Sequence, residues 1–462
     1  HDEEVRGTVI QAVPLVPAPD PFGTCVRFSG LPYLLFLDSS AQGALSRYSF
    51  LAADPVAVAR TPEAARAMLR AHPAPRPFPG LPPFQGGIAG YLGYDWGAEL
   101  ERVARPPADR FTPQIPDVLL AYYDWVIAWD HLEDRAWLIS TGTAAQTKSR
   151  TTVLRERLAA SAPAIHDHHA ATPAPPESNF TPAEFEARVS RVREYIAAGD
   201  VYQVNLAQRF HGPFTGSGLA LYRRLRARNP APFGAYLEFA GATIASISPE
   251  RFVRFDPATR AVEARPIKGT RPRGTTPAED STLARELLES EKDRAENVMI
   301  VDLLRNDLGK VCRPGSVQVP KLFALESHPS VHHLVSTVVG ELREGTDAVD
   351  VLEAAFPGGS VTGAPKIRAM EIIAELERAP RGVYCGAIGY ISVTGAMDFN
   401  IPIRTIVIQG GHATFHAGAG IVWDSDPRAE YEETLAKART MFESLTSPRR
   451  TPRTPDRAHP LA

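Results

Sequence analysis

Through the first part of the chain, apolar side chains come in short runs, each closed by turn-forming residues. That punctuation leaves room for strands and little else. Leu34-Leu35-Phe36-Leu37-Asp38-Ser39-Ser40 reads as a buried strand ending in a turn, with Ser46-Arg47-Tyr48-Ser49-Phe50-Leu51 as a second. Val118-Leu119-Leu120-Ala121-Tyr122-Tyr123 and Trp125-Val126-Ile127-Ala128-Trp129 read as core strands. Gly86-Gly87-Ile88-Ala89-Gly90-Tyr91-Leu92-Gly93-Tyr94-Asp95 places glycines where strands bend or backbones meet, and no helix is expected to open from it, so it is not a dinucleotide fingerprint. Residues 1–160 therefore form a β-rich region with short helices and no acid–base constellation.

At 462 residues the chain suffices for one large or two ordinary domains. A content of 44% hydrophobic and 22% charged residues with a net charge of -3 is globular, and gives no argument for nucleic acid or an acidic membrane surface as partner. No apolar run reaches the ~18 residues of a membrane span. Cys25, Cys312 and Cys385 are scattered, without disulfide or zinc spacing, which suits a reducing compartment. The acidic start His1-Asp2-Glu3-Glu4 is unlike a signal peptide. The expected location is cytoplasmic; the absent initiator methionine leaves a trimmed leader open.

Residues 161–179 read as a surface linker, rich in Ala, Pro and His; His166, His168 and His169 there are either solvated or a metal site. Residues 180–446 read as the catalytic domain and 447–462 as a Pro- and Arg-rich disordered tail. Thr181-Pro182-Ala183-Glu184 opens a helix to Ala198, halted by Gly199. In the strand Val201 to Phe210, Gln203, Asn205 and Gln208 either point into a cavity or make a wet face. A helix follows Glu291, with Met299, Ile300, Leu303 and Leu304 as its apolar face and Glu296 on the same side. His332-His333 begins a strand. Pro357-Gly358-Gly359-Ser360-Val361-Thr362-Gly363-Ala364-Pro365-Lys366 feeds a helix to about Arg378; it lacks the Lys and Ser/Thr of a nucleotide loop but keeps a helix N-terminus able to hold an anion. Gly382 to Tyr390 and Met397 to Thr405 look like a hairpin finishing at Arg404, whose fork suits a carboxylate. Gly418-Ala419-Gly420 allows successive N–H groups to converge on an anion. In the last helix Glu430, Glu433 and Lys437 share a face, as surface ion pairs or, with Glu296, as hard oxygen donors for Mg²⁺.

The chemistry centres on Arg265-Pro266-Ile267-Lys268-Gly269-Thr270-Arg271-Pro272-Arg273-Gly274. A strand-like run delivers a lysine beside a glycine that a ligand can approach, with three arginines close by. Burial or neighbouring cations lower a lysine pKa from its usual ~10.4 and free the lone pair. The strand Ala245 to Phe252 carries Glu250 just before it. Pairing of the two strands as a hairpin would bring Glu250 and Lys268 together, as an acid/base pair or an ordinary salt bridge.

Taken together, Asp302-Leu303-Leu304-Arg305-Asn306-Asp307, the loop Pro357 to Lys366 and Gly418-Ala419-Gly420 resemble the chorismate-utilising enzymes: anthranilate synthase component I, aminodeoxychorismate synthase component I and the isochorismate synthases. The resemblance runs from about residue 30 to 445 and is densest beyond Phe180. It implies an α+β fold of two large antiparallel β-sheets packed as a sandwich with helices outside, the two halves of the chain interleaved. Isochorismate and salicylate synthases carry a base lysine where this chain has Gln203, which argues against water as nucleophile. Anthranilate synthases read Pro-Ile-Ala-Gly-Thr where this chain reads Pro-Ile-Lys-Gly-Thr, and that lysine is similar to the aminodeoxychorismate synthase branch.

The resemblance further implies that the Lys268 amine attacks C2 of chorismate as the C4 hydroxyl leaves with help from Glu250, and that ammonia then attacks C4 and expels the lysine. It implies Mg²⁺ held by Glu296, Glu430 and Glu433. It places the enolpyruvyl carboxylate against Tyr384, Arg404 and the amides of Gly418, Ala419 and Gly420, with Gln203, His333 and Lys437 also lining the site. Ammonia would come from a separate glutamine amidotransferase subunit. With the chain ending at Ala462 no lyase is expected, so the product would be aminodeoxychorismate, a precursor of 4-aminobenzoate and folate. Leu37 to Ser40 and Ser46 to Tyr48 sit where relatives hold tryptophan. The rivals are anthranilate synthase component I and a non-catalytic ligand-binding paralogue.

Overall fold

The computed structural model describes residues 9–41, 43–72, 78–165, 175–239, 241–328 and 331–446. The linker histidines His166, His168 and His169, and the tail 447–462, lie outside the described residues. Two antiparallel sheets form the body. Among the described residues the first has twelve strands and runs Val9–Leu15, Arg135–Gly142, Trp125–Asp130, Tyr48–Ala52, Leu34–Asp38, Phe233–Phe239, Ala242–Ser248, Thr405–Gln409, His412–Ile421, Gln203–Pro213 and Gly363–Ala364, with Glu177–Ser178 beside Gln203–Pro213. The second has ten and runs Ile267–Pro272, Val331–Glu341, Ala261–Ala264, Arg251–Asp256, Met397–Asn400, Ala387–Ser392, Gly87–Leu92, Val118–Tyr123 and Ala57–Ala59, with Gln318–Ser327 beside Val331–Glu341. Each sheet draws strands from both halves of the chain.

The short apolar runs are buried on both faces because the sheets pack on each other and helices cover the outside. Phe50 of the first sheet meets Tyr390 of the second edge-on at 5.3 Å. Around them Leu35, Val126, Ile139 and Leu237 interleave with Tyr91, Leu119 and Ile388. Phe28, Leu154, Leu225 and Met441 bring helices onto the outer face of the first sheet. Ile300 and Leu304 do the same for the second.

The helix Pro182–Ala197 starts as its sequence requires, with Thr181 and Glu184 bonding each other's backbone N–H and Gly199 turning away at φ 83°. Four expectations change. The end of the linker pairs as the strand Glu177–Ser178 against Phe210 and His211. A helix, Tyr94–Leu100, does open after the Gly86–Asp95 stretch, yet the preceding strand lies between antiparallel neighbours, so the stretch is still no dinucleotide unit. In the helix Glu291–Gly309 the buried stripe is Ile300, Val301, Leu304 and Leu308, one position round from Met299 and Leu303.

The fourth change concerns Glu250. Its strand does not pair with the lysine strand. Ala242–Ser248 belongs to the first sheet, Arg251–Asp256 to the second, and Pro249-Glu250 is the crossing between them. The lysine strand Ile267–Pro272 pairs instead with Val331–Glu341. A second crossing lies beside the first, because the expected hairpin stops at Met397–Asn400 and Arg404 precedes the first-sheet strand Thr405–Gln409. The crossings are bonded to each other: Ile401 N–H to the Glu250 carbonyl at 3.0 Å, and Ile247 N–H to the Arg404 carbonyl at 3.2 Å. Glu250 and Arg404 thus come from the two places where the chain changes sheets.

Candidate active site

Between these crossings and the helices Glu291–Gly309 and Pro427–Thr446 lies a cavity of about 570 Å³. Lys268, Glu250, Glu296, His333, Tyr384, Arg404, Gly418, Gly420, Glu430, Glu433 and Lys437 all line it.

Lys268 reaches the cavity through a bulge. The register of its strand slips between Ile267 and Thr270, and Gly269 takes φ 96°, where a side chain is strained. A Cβ on Gly269 would meet Leu287 at 2.8 Å and Asp293 at 3.0 Å, so the glycine admits helices rather than a ligand. Lys268 Nζ donates to the Ser360 carbonyl at 3.0 Å. Burial is the largest influence on the amine and lowers its pKa; Glu296, Glu250 and Glu433 oppose, while Lys437 adds to the lowering. The nearby arginines are not the cause, since Arg265 is paired with Glu326, Arg271 with Asp293 at 3.0 Å and Arg273 with Asp280 at 2.7 Å.

Glu250 is buried, which pushes its carboxyl upward; the Ser360 hydroxyl, bonded to it at 2.8 Å, pulls back toward the ionised form, as do Lys268 and the Ile267 N–H. Ser360 thereby touches both reactive side chains. Sequence reasoning passed over it as one residue of a glycine-rich loop; its signal was a serine hydroxyl directly after the glycine pair Gly358-Gly359.

Arg404 is held at φ 51°, a left-handed conformation that costs a non-glycine residue about 1 kcal/mol or more. Burial disfavours its charge, and among the described residues it has no carboxylate partner. His333 takes Thr270 Oγ1 at 3.0 Å, and burial, with His328 and Arg404, lowers its pKa to about 4. Tyr384 stacks on His416 with ring centroids 5.1 Å apart.

The Gly418–Gly420 segment is not a converging nest. It is part of the regular strand His412–Ile421 paired to Gln203–Pro213. Asn205 and Ala207 turn their N–H groups away from that partner, to Thr362 and Glu377. Gly420 and Gly418, opposite them, therefore present their backbone to the other side, where the neighbouring strand has ended. Ala419 alternates the other way and is buried, so it is corrected out of the site. A Cβ on Gly418 would lie 2.9 Å from the Tyr384 hydroxyl, and one on Gly420 would overlap the Gln203 amide. Gln203 and its strand mates are buried rather than wet. Gln203 stands behind the cavity wall and donates to Glu296 at 3.2 Å.

Glu296, Glu430 and Glu433 face the same cavity, but among the described residues no three acidic, histidine or cysteine side chains are gathered closely enough to hold a metal ion. Burial raises the pKa of Glu296 and Glu430, and the Glu433 charge raises both further. Glu433 is itself bound to Lys437 at 2.7 Å, and Glu430 accepts the Ser425 hydroxyl at 2.6 Å. Lys437 also donates to the Gly418 carbonyl at 3.0 Å.

A family model described as chorismate binding enzyme matches residues 34–443. The anthranilate synthase component 1 of Streptomyces coelicolor is 45% identical over 87% of this chain and 81% of its own. The aminodeoxychorismate synthase component 1 of Escherichia coli is 44% identical over 79% of this chain and 78% of its own. The crystal structure of anthranilate synthase component I from Streptococcus pneumoniae superposes with a TM-score of 0.76 at 34% identity, covering 87% of this chain and 93% of that one. The cavity belongs to a chain similar to those proteins in sequence and fold, and the family model spans most of it: this protein is a member of the chorismate-binding enzyme family.

Proposed function

We propose that the protein converts chorismate and ammonia to 4-amino-4-deoxychorismate through a covalent adduct on Lys268. Overall identity does not separate the two aminating branches, at 45% and 44%. The observation that carries the reading is the Lys268 amine itself: inside the cavity, its pKa lowered by burial, in the field of Glu250. In its neutral form the amine adds to C2 while Glu250, protonated, gives its proton to the departing C4 hydroxyl. Ammonia then forms the new bond at C4, the C2–N bond breaks, and the lysine returns. Arg404 and Tyr384, with the Gly418 and Gly420 amides, bind the enolpyruvyl carboxylate; the unpaired guanidinium is the strongest support for an anion there.

The three glutamates suit Mg²⁺ chemically, as hard oxygen donors whose mutual repulsion a divalent cation relieves, once Glu433 is drawn from Lys437. Bound there, the ion would supply a grip on the ring carboxylate. In this reading ammonia comes from a glutamine amidotransferase subunit, the protein works in the cytoplasm, and its product feeds 4-aminobenzoate and folate synthesis. A separate cavity of about 340 Å³, lined by Leu37, Asp38, Ser39, Arg47 and Tyr48, is where tryptophan would sit; thermal shift with tryptophan tests it, and no stabilisation removes it.

Product analysis decides between the branches. Chorismate, Mg²⁺ and an ammonium salt should give aminodeoxychorismate by liquid chromatography and mass spectrometry, and nothing when Mg²⁺ is withheld. Fluorescent anthranilate as the product would overturn the reading.

A further inference from the structure

We propose that ammonia enters this site from behind, through a second cavity closed off by the rings of Tyr384 and His416, and not by the mouth that admits the carboxylate substrate. This rests on the amination reading above, and holds for either aminated product.

The second cavity is also about 570 Å³. Arg60, Arg105, Pro380, Val407 and Thr414 are among the residues lining it, and it shares only Tyr384 and His416 with the active-site cavity. The two rings lie nearly parallel, 12° apart, and both are buried. The partition between the cavities is thus one layer of side chain.

His416 is equipped for a small neutral donor. One ring nitrogen is bonded to the Pro380 carbonyl, while Nε2 is buried without a hydrogen-bond partner among the described residues. A carbonyl accepts only from N–H, so Nδ1 carries the proton and Nε2 the lone pair. Burial first, then Arg209 and Arg381, hold the ring neutral. Both arginines have carboxylate partners, Asp109 and Glu377, yet they still disfavour a cation at this point. A lone pair in that setting accepts an N–H from ammonia, while ammonium is repelled.

Order of events gives the route its use. Ammonia acts second, when the substrate ring already fills the front cavity between Lys268 and Arg404. A rear entrance lets it reach the ring without the substrate leaving.

The test is the split between two Michaelis constants in ammonia-dependent assays with free NH₃ calculated at fixed pH. Val407→Phe narrows the rear cavity at a residue that does not line the front one; Ala108→Trp crowds its exposed rim and covers the case in which the first variant does not fold, as judged by near-UV circular dichroism. Each should raise the KM for ammonia tenfold or more and leave that for chorismate within twofold. His416→Leu should raise the KM for ammonia tenfold or more, and His416→Gln, which restores an acceptor, should recover much of that loss. An ammonia KM within twofold of the parent in folded variants, or both constants rising together, overturns the route while leaving amination intact. Failure of the parent protein to aminate chorismate overturns both.

Discussion

Ser360 holds Lys268 at 3.0 Å through its carbonyl, and its hydroxyl is spent on the carboxyl group of Glu250 at 2.8 Å. One residue therefore spaces the nucleophile from the acid. Its hydroxyl favours the ionised form of Glu250 against burial. Removing it should raise the Glu250 pKa, since the ionised form loses a charge-assisted bond. For an acid that must be protonated to act, the alkaline limb of kcat/KM for Ser360→Ala should move to higher pH. An unmoved limb would mean that Glu250 is not the acid.

Arg404 sets stability against binding. A half-buried guanidinium with no carboxylate partner among the described residues, its charge disfavoured by burial and its backbone held at φ 51°, weakens the empty protein. Arg404→Leu should therefore leave Tm equal to or above that of the parent while raising the chorismate KM by ~100-fold, in line with loss of a charged bond worth about 1.5–3 kcal/mol. A fall in Tm would show that the guanidinium has protein partners holding it.

His333 makes stability depend on acid. Its pKa is about 4 in the folded protein, against an ordinary ~6.5 when unfolded. Above 6.5 the ring is neutral in both states. Between 6.5 and 4 the unfolded chain takes a proton that the buried ring refuses, so stability falls with falling pH, by about 3 kcal/mol at most; below 4 the difference is constant. Urea midpoints of His333→Gln should be flatter than those of the parent across that window. Parallel curves would contradict the assignment.

The loop that carries Ser360 is anchored by a buried ion pair, Lys366 to Asp307 at 2.6 Å, with the side chains 7% and 1% exposed. Lys366→Met strands Asp307, whose remaining cation is Lys310 at 2.9 Å. A buried pair broken on one side costs about 3–5 kcal/mol, and Lys310 should hold the loss near the lower figure. Chemical denaturation of Lys366→Met and of Asp307→Leu/Lys366→Met checks this: the double variant should recover stability, and a double variant worse than the single would contradict it.

Much of this was legible in residue order because local rules and tertiary packing agree. The core strands Val118–Tyr123 and Trp125–Asp130, and the capped helix Pro182–Ala197, stand where their patterns put them. The lysine, its glutamate and the carboxylates of the last helix do line one cavity. What pattern could not reveal is which sheet a strand joins. Ala242–Ser248 and Arg251–Asp256 both read as short strands, with nothing in either to name its sheet, and only Pro249 marks the crossing. The arginines flanking Lys268 suggested a field that their own carboxylates cancel, because charge partners brought by other elements are invisible along the chain. His416 gave no sign in its strand, since its role depends on a ring from a distant turn, Tyr384, lying across it.

The most direct test replaces Lys268. Given chorismate, Mg²⁺ and ammonium salt, Lys268→Ala should lose aminodeoxychorismate formation by three orders of magnitude or more while keeping the parent's near-UV circular dichroism. Turnover to the same product at an unchanged rate would contradict the account.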